Sequence, residues 1–404
     1  MSEASKAIVL LSDQLSGGAA VAANRLADGL AALGAPVARW FYAPDIPAEV
    51  PYTQASLELR RKRPPLERLL RNFYPPLARR LRKRRHESAL LTRLDRCLPM
   101  VLNLHNLHAS ALSHDSLRLL PSTLPLVWTM HDAWPFAPAA YEWSEGGSGE
   151  LVTQGDDGPD TTGARARRAG FFAARPDTVL VSPSRWLAAE ARRVISDQVR
   201  VEIIPYGVPI DLFRPVPSAV ARKELGLPHD RCLLGLAAAS FDARKGSDVF
   251  LAAVRQLTHE RFGLVIWGDD AHCPWPAGIE IRRFGFVADP AQMRRLYSAC
   301  DLFVCPSRLD NLPNTVLESL ACGTPVVGSA VGGIPEMVRP GETGWLYADN
   351  QSDACAAALC SAILEKEAWP RYRERCRRLA ETEYAPPRQA QAYLRLFAGL
   401  TQPA

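Results

Sequence analysis

The sequence has 404 residues, of which 47% are hydrophobic and 23% charged, with a net charge of +5; this composition excludes wholesale disorder and allows two or three domains. No apolar run approaches the roughly 18 residues that span a bilayer, and the N-terminal stretch, with Lys6 before only five apolar residues, is a poor signal peptide. Nine cysteines without a C-x-x-C pair fit a reducing compartment and neither a disulfide framework nor a zinc site, so we expect a cytoplasmic protein.

Strand and helix signals alternate along the chain. The apolar run at residues 7–12 predicts a strand, and the stretch 19–33, ended by Gly34, predicts a helix. Further buried strands are predicted at residues 37–42, 101–106, 126–131, 178–184, 232–239, 263–269, 279–285, 301–307 and 325–330. Because continuous apolar strands separated by helices form parallel sheets covered on both faces, we predict an α/β fold with doubly wound sheets.

A Pro-rich stretch, residues 204–218, is predicted to link two such domains. We place the first domain at residues 1–208 and the second at residues 209–385. A last helix, predicted at 388–400 after Pro386-Pro387, belongs to a segment, residues 386–404, that we expect to pack back on the first domain. Ligands of doubly wound sheets bind beyond the carboxyl ends of the strands, so the residues that follow each strand are the candidates for a site.

Positive charge is concentrated in residues 60–85, which contain twelve Arg or Lys and one acidic residue, Glu67. Leucines at helical spacing predict two short basic amphipathic helices, which can lie on an anionic membrane surface. A solvated helical lid on the first domain explains the pattern equally well. Nucleic acid is a weaker interpretation, because the segment has few aromatic residues to stack on bases.

Two candidates follow strands of the first half. Gly17 and Gly18 precede the first helix, where a close backbone approach and free amides suit a phosphate, although most such glycines only form a turn. His131 and Asp132 follow the strand at 126–131, where a histidine can hydrogen-bond a sugar hydroxyl. The alternative is local: Asp132 caps the next turn and His131 packs beside Trp134. The absence of H-E-x-x-H gives no support to a metal site.

Two candidates follow strands of the second half. Arg244-Lys245-Gly246 opens a helix, and cations at a helix start form an anion site. Asp310 and Glu318 lie across a loop-to-helix junction, and a carboxylate facing a cleft can accept hydrogen bonds from two vicinal ribose hydroxyls. Alternatively, Thr315 and Glu318 form a capping box.

Residues 307–338 resemble the donor-site signature of the retaining GT-B glycosyltransferases of family 4, which is an acid-x7-acid pair followed by A-x-G-x-P-V-V and G-G-x-x-E. Other motifs similar to that family occur in its order along nearly the whole chain: the first glycine pair, VWTMHDAWPF, VSPSRWLA, IPYGVPIDLFRP, ARKG and LYSACDLFVCPS. WTMHDAWPF and DNLPNTVLESLACG are most similar to the branch that builds exopolysaccharides, such as the colanic-acid-type enzymes.

The resemblance implies a GT-B fold, with the acceptor on the first domain and a nucleotide-sugar on the second. It assigns catalytic roles to His131, Lys245, Asp310 and Glu318, and donor binding to Gly17, Gly18, Arg244, Lys245, Phe286, Asn311, Leu312, Asn314, Thr315 and Glu318. Glu318 would hold the ribose hydroxyls and Lys245, helped by Arg244 and the glycine pair, the diphosphate. Asp310, His131 and the backbone of Asn311 and Leu312 would meet the donor sugar.

The implied reaction is a retaining hexosyl transfer to a saccharide or polyprenyl-diphosphate-linked saccharide, with UDP or GDP as the expected nucleotide and no cofactor. Without the D-x-D of GT-A enzymes, we expect no metal. The sequence departs from the family at Asp310, where Glu is usual, and at Ser240, where Arg is frequent. The alternatives are a nucleotide-sugar 2-epimerase of the same fold, which would turn over donor without acceptor, and a non-catalytic nucleotide-sugar binder.

Overall fold

The structure is a computed structural model, which describes residues 7–12, 17–41, 88, 91–92, 94, 99–107, 113–137, 161–241, 243–257, 262–271, 273–275, 278–348 and 351–401. The basic stretch at 60–85 lies outside the described residues, so its predicted helices are not addressed by the structure. Within the described ranges, no helix combines the length and the apolar character needed to cross a membrane.

The described chain forms two six-stranded parallel sheets. The strands are β1 Ile8–Ser12, β2 Val37–Phe41, β3 Val101–Leu104, β4 Leu126–Thr129, β5 Val179–Ser182, β6 Val201–Ile203, β7 Cys232–Ser240, β8 Phe262–Asp269, β9 Glu280–Arg283, β10 Leu302–Cys305, β11 Val326–Ser329 and β12 Gly344–Tyr347. The first sheet has the order β2-β1-β3-β4-β5-β6 and the second β12-β11-β10-β7-β8-β9. The predicted fold class, two doubly wound α/β domains, is confirmed.

Helices connect most of the strands, as parallel pairing requires. They are α1 Gly18–Ala32, α2 His114–Leu117, α3 Thr161–Ala174, α4 Arg185–Val194, α5 Ser218–Leu225, α6 Ser247–Val254, α7 Pro290–Ala299, α8 Asn314–Ala321, α9 Ile334–Met337, α10 Ser352–Leu364, α11 Trp369–Glu383 and α12 Pro386–Thr401.

Each sheet has a hydrophobic core on both of its faces. Val9 packs in one core of the first sheet, whereas Ile8 packs in the core on the opposite face. Leu233 and Leu234 divide in the same way between the two cores of the second sheet. Because successive side chains of a strand point to opposite faces, a strand covered on both sides must be apolar throughout, which explains the continuous apolar runs of the sequence.

Two strands, β6 and β12, were not predicted from the sequence. Both are short and lie at the edge of their sheets. The three residues of β6 are only partly buried or exposed, so the sequence VEI lacks the apolar run that identifies a central strand.

The last helix, α12, crosses back to the first domain. Tyr393 packs in the core that contains Ile8, and its hydroxyl lies 2.9 Å from Thr129 Oγ1. At the crossing, the Gly207 amide donates to Gln389 Oε1 at 2.9 Å. The helix begins at Pro386 and not at the predicted residue 388, because proline is tolerated in the first turn, where its missing N–H has no intrahelical partner.

Candidate active site

The residues that follow β4 and β10 meet across a cleft between the two sheets. The side chain of Asn311 joins them: Nδ2 donates to the His131 carbonyl at 3.2 Å, and Oδ1 accepts from Ser184 Oγ at 2.5 Å. Ser184 follows β5 and caps α4 through the amide of Leu187. The carboxyl ends of the two sheets therefore face each other, as the position of ligand sites in such folds requires.

Glu318 is a buried carboxylate on α8 with donors on both oxygens. Oε1 accepts from Arg25 Nη2 at 2.5 Å, and Oε2 accepts from the Tyr297 hydroxyl at 2.9 Å. The capping-box interpretation of Thr315 and Glu318 is wrong. The helix begins two residues earlier than that box requires, at Asn314 after Pro313, which has no side-chain acceptor. Thr315 therefore lies inside the first turn, and the Glu318 carboxylate turns away from the cap.

Lys245 and Asp310 form an ion pair at the same strand ends, with 2.6 Å between Nζ and Oδ2. Arg244 Nη1 lies 4.0 Å from the same oxygen. Burial acts to raise the pKa of Asp310, but the charges of Lys245 and Arg244 outweigh it and hold the pKa below its ordinary value. Asp310 is therefore ionised at neutral pH, and both cations are held at the start of α6.

Gly246 allows this turn to form. Its φ of 65° is left-handed, and a Cβ there would lie 1.9 Å from the Pro306 carbonyl oxygen. The backbone of the Arg244–Lys245 turn can therefore approach the end of β10 closely. Lys245, Ser307 and Thr315 contribute to the lining of one small pocket at this place.

His131 belongs to a hydrogen-bonded chain of three side chains. Its Nδ1 lies 2.6 Å from the Tyr206 hydroxyl, and its Nε2 lies 3.0 Å from Nδ1 of His105. Burial and the neighbouring His131 hold the pKa of His105 well below 6.5, so His105 is neutral at physiological pH. Asp132 accepts from the Trp134 amide at 2.9 Å, which is the local capping role considered as the alternative for this residue.

The glycine pair lies beside α8 of the other domain. Gly17, at a φ of 89°, precedes α1. Asn314 Nδ2 donates to the Gly18 carbonyl at 3.0 Å, and a Cβ on Gly18 would lie 3.7 Å from that nitrogen. The predicted donor residues Gly17, Gly18, Asn314 and Glu318 are thus brought together at one place.

Three other predicted residues have different surroundings. The amide of Asn311 donates to Asp310 Oδ1 at 3.1 Å, and the Leu312 side chain is buried in the core of the second domain. Phe286 follows β9 and is 78% exposed, so its ring is open to solvent. Within the described ranges, no cluster of three His, Cys, Asp or Glu side chains is arranged to hold a metal ion.

Comparison with known proteins assigns the two halves to one family. A family model described as Glycosyltransferase Family 4 matches residues 16–212, and a model described as Glycosyl transferases group 1 matches residues 233–365. By sequence, the chain belongs to the family 4 glycosyltransferases.

Sequence relatives match part of the chain, and solved structures match its fold over nearly the whole length. A D-inositol 3-phosphate glycosyltransferase of Mycobacterium avium is 33% identical over 190 residues, and one of Acidothermus cellulolyticus is 32% identical over 198 residues. The match to the Mycobacterium avium protein spans 43% of this chain and 44% of that protein, so it covers less than half of either. A sucrose-phosphate synthase from Thermosynechococcus elongatus has a TM-score of 0.71 at 22% identity, covering 98% of this chain and 100% of its own. Anabaena HepE in complex with UDP-glucose has a TM-score of 0.69 at 14% identity, covering 97% and 99%. At these identities the structures show the GT-B fold alone.

A further contact between the two domains involves the G-G-x-x-E motif. Glu336 of α9 accepts from the amides of Arg185 and Trp186 at 3.0 Å each. These are the first amides of α4, where a carboxylate is favoured by the helix dipole. Glu336 therefore caps a helix of the opposite domain.

Sequence reasoning missed several residues of the site, above all Arg25, Tyr206 and Tyr297. In the structure, Arg25 lies one turn after Ala22, which packs in the core of the second domain. The partner of Arg25 is 293 residues away along the chain, so no local pattern could identify the contact.

Proposed function

We propose that the protein is a retaining, metal-independent hexosyltransferase that moves a sugar from a UDP- or GDP-sugar to a hydroxyl of a saccharide or polyprenyl-diphosphate-linked saccharide in exopolysaccharide synthesis. One observation carries the proposal: the cation pair Arg244–Lys245 and the buried carboxylate Glu318 lie at the strand ends of the same domain. Lys245 and Thr315, which lies one turn before Glu318, line the same small pocket. The crystal structure of Anabaena HepE is a complex with UDP-glucose, which supports a nucleotide-sugar as the class of ligand.

The chemical problem is the negative charge that develops on the departing diphosphate. Lys245 donates from Nζ to Asp310, and this contact holds its ammonium charge at the strand ends, beside the start of α6. Arg244 and the first amides of α6 add positive potential at the same place. Such preorganised donors stabilise a transition state in which charge builds on the leaving group.

We propose that the acceptor attacks from the face that the diphosphate leaves. The bond from the anomeric carbon to the diphosphate oxygen breaks, the bond to the acceptor oxygen forms, and the departing phosphate takes the acceptor's proton. His131, whose ring is fixed between His105 and Tyr206, would line the sugar near the anomeric carbon. The configuration of the new glycosidic bond, read by NMR and compared with that of the donor sugar, tests retention.

A thermal-shift screen with UDP, GDP, ADP and their sugars tests the donor class. A ligand at 100 times its dissociation constant stabilises the folded protein by about 2.7 kcal/mol, which raises Tm measurably. We expect the largest shift with UDP or GDP, unchanged by EDTA. Donor turnover without acceptor would instead indicate the epimerase alternative, and binding without turnover the non-catalytic one.

We further propose that residues 60–85 hold the enzyme on an anionic membrane surface, where a lipid-linked acceptor is found. The twelve basic residues of this segment supply the charge. In liposome sedimentation, we expect binding to vesicles with anionic lipid that falls as salt is added. Equal binding to neutral vesicles would leave the segment as a lid on the first domain.

A further inference from the structure

Arg25 extends from the first domain into the proposed nucleotide site of the second. Nη2 donates to Glu318 Oε1 at 2.5 Å, and Nη1 donates to Asn314 Oδ1 at 3.2 Å. The guanidinium carbon lies 5.4 Å from the centre of the Phe213 ring. The side chains of Arg25 and Glu318 are only 10% and 7% exposed, so the pair is shielded from water. One side chain of α1 therefore contacts three residues of the other domain.

The direction of Arg25 is set by packing of the helix. Ala22 lies one turn earlier on α1 and is buried among Tyr206, Val208 and Phe213. This small residue lets α1 approach the second domain closely. The next residue on the same face is Arg25, which meets α8 where Asn314 and Glu318 project from successive turns of that helix.

The hydrogen bonds of Glu318 leave room for a ligand. An ionised carboxylate accepts about four hydrogen bonds. Arg25 and Tyr297 supply two, one on each oxygen, so two acceptor positions remain for two vicinal hydroxyls. Burial and the nearby Glu318 raise the pKa of Tyr297 well above 10, which keeps its hydroxyl a donor. Arg25 and a ribose can therefore bind the carboxylate together.

We propose that Arg25 is a positioning residue for the nucleotide: it orients Glu318 toward the ribose hydroxyls from the opposite domain. This inference rests on the proposed nucleotide-sugar function. Without Arg25, the carboxylate loses its cation and one of the two contacts that fix its orientation. The ribose subsite is then complete only when the two domains adopt the arrangement seen here. Arg25 thereby couples recognition of the nucleotide to the relative position of the domains.

The test compares nucleotides that differ only in the ribose. Calorimetric titration gives the Kd of UDP, 2′-deoxy-UDP, GDP and 2′-deoxy-GDP for the wild type, Arg25→Ala, Arg25→Lys and Glu318→Gln. We expect the wild type to prefer the ribonucleotide by about 10-fold, since a hydrogen bond to a charged group is lost in the deoxy form. In Arg25→Ala the ribonucleotide should bind about 10-fold more weakly and the preference should disappear, with Arg25→Lys intermediate.

A matched control is Asp28→Ala on the same helix. Asp28 is exposed and pairs with Arg39 within the first domain, so its loss removes an ion pair of α1 without affecting the site. We expect its nucleotide affinities to match the wild type. If the substitutions only loosen α1, the ribonucleotide and the deoxynucleotide should both bind more weakly in every variant, and the ratio of their Kd values should stay unchanged. That result would overturn the inference.

The remaining outcomes separate this inference from the proposed function. Tighter ribonucleotide binding by Arg25→Ala would show that Arg25 competes with the ribose for Glu318, and the inference would be wrong. If Glu318→Gln loses the ribose preference but both Arg25 variants keep it, the proposed function stands and the role of Arg25 falls. If the wild type binds no nucleoside diphosphate, both fall. Where Arg25→Ala does not fold, Arg25→Lys decides by the same ratio.

Discussion

Replacing Glu318 by glutamine is expected to lower kcat/KM for the donor sugar by about 100-fold. The amide keeps the shape of the side chain but weakens two charge-assisted hydrogen bonds to the ribose, by about 1.5 kcal/mol each. Together these amount to about 3 kcal/mol, or roughly two powers of ten in rate. Initial rates at varied donor concentration, with acceptor in excess, measure the effect.

The control for Glu318→Gln is the stability of the variant. The glutamine oxygen can still accept from Arg25, and its NH2 group can donate to the oxygen of the Tyr297 hydroxyl. Urea unfolding at pH 7 should therefore still show a cooperative transition, with a smaller loss of unfolding free energy than in Glu318→Ala. If Glu318→Gln melts earlier but keeps kcat/KM within threefold of the wild type, Glu318 only joins the two domains and the ribose assignment is wrong.

Replacing Lys245 by alanine is expected to reduce kcat by about 100- to 1,000-fold and to weaken nucleoside-diphosphate binding. Removal of one preorganised donor to a developing anion costs about 3 to 4 kcal/mol of transition-state stabilisation. Single-turnover rates and calorimetric Kd values with UDP and GDP measure the two effects separately. Lys223→Ala is the control, because Lys223 is an exposed lysine at the end of α5. An unchanged nucleotide affinity would remove Lys245 from the site.

The same variant has a pH signature. The folded pKa of Asp310 lies below its unfolded value, mainly because Lys245 and Arg244 outweigh the effect of burial. The ion pair therefore stabilises the fold above the unfolded pKa of about 3.9, and this contribution is lost as pH falls through the folded pKa. The gap in unfolding free energy between the wild type and Lys245→Ala should be full at pH 7 and shrink toward pH 3.

The sequence predicted the parts of the fold that depend on local pattern. Central strands such as β1 and β10 are buried on both faces and therefore read as unbroken apolar runs. Edge strands such as β6 are partly exposed and short, so they lack this pattern. The predicted cap of α8 at Thr315 is wrong. The helix instead follows Pro313, which offers no side-chain acceptor and so gives no capping signal in the sequence.

The candidate site was predictable to the extent that it follows the strand ends. Lys245 and Asp310 were candidates because they follow two strands, β7 and β10, which the structure shows to be neighbours, and the two side chains form an ion pair. The environment of His131 was not found, because His105 and Tyr206 come from separate segments of the first half. Contacts of this kind depend on the packing of distant elements, which no local spacing encodes.

The return of α12 to the first domain means that two segments of chain connect the domains. One segment passes from β6 into the second domain and the other returns after α11, and they lie side by side where the Val208 amide donates to the Tyr384 carbonyl at 2.8 Å. A single connecting chain would permit swivelling about several axes, whereas two joined connections restrict the lobes to rotation about one. Any change in the relative position of the lobes must therefore bend both connections together.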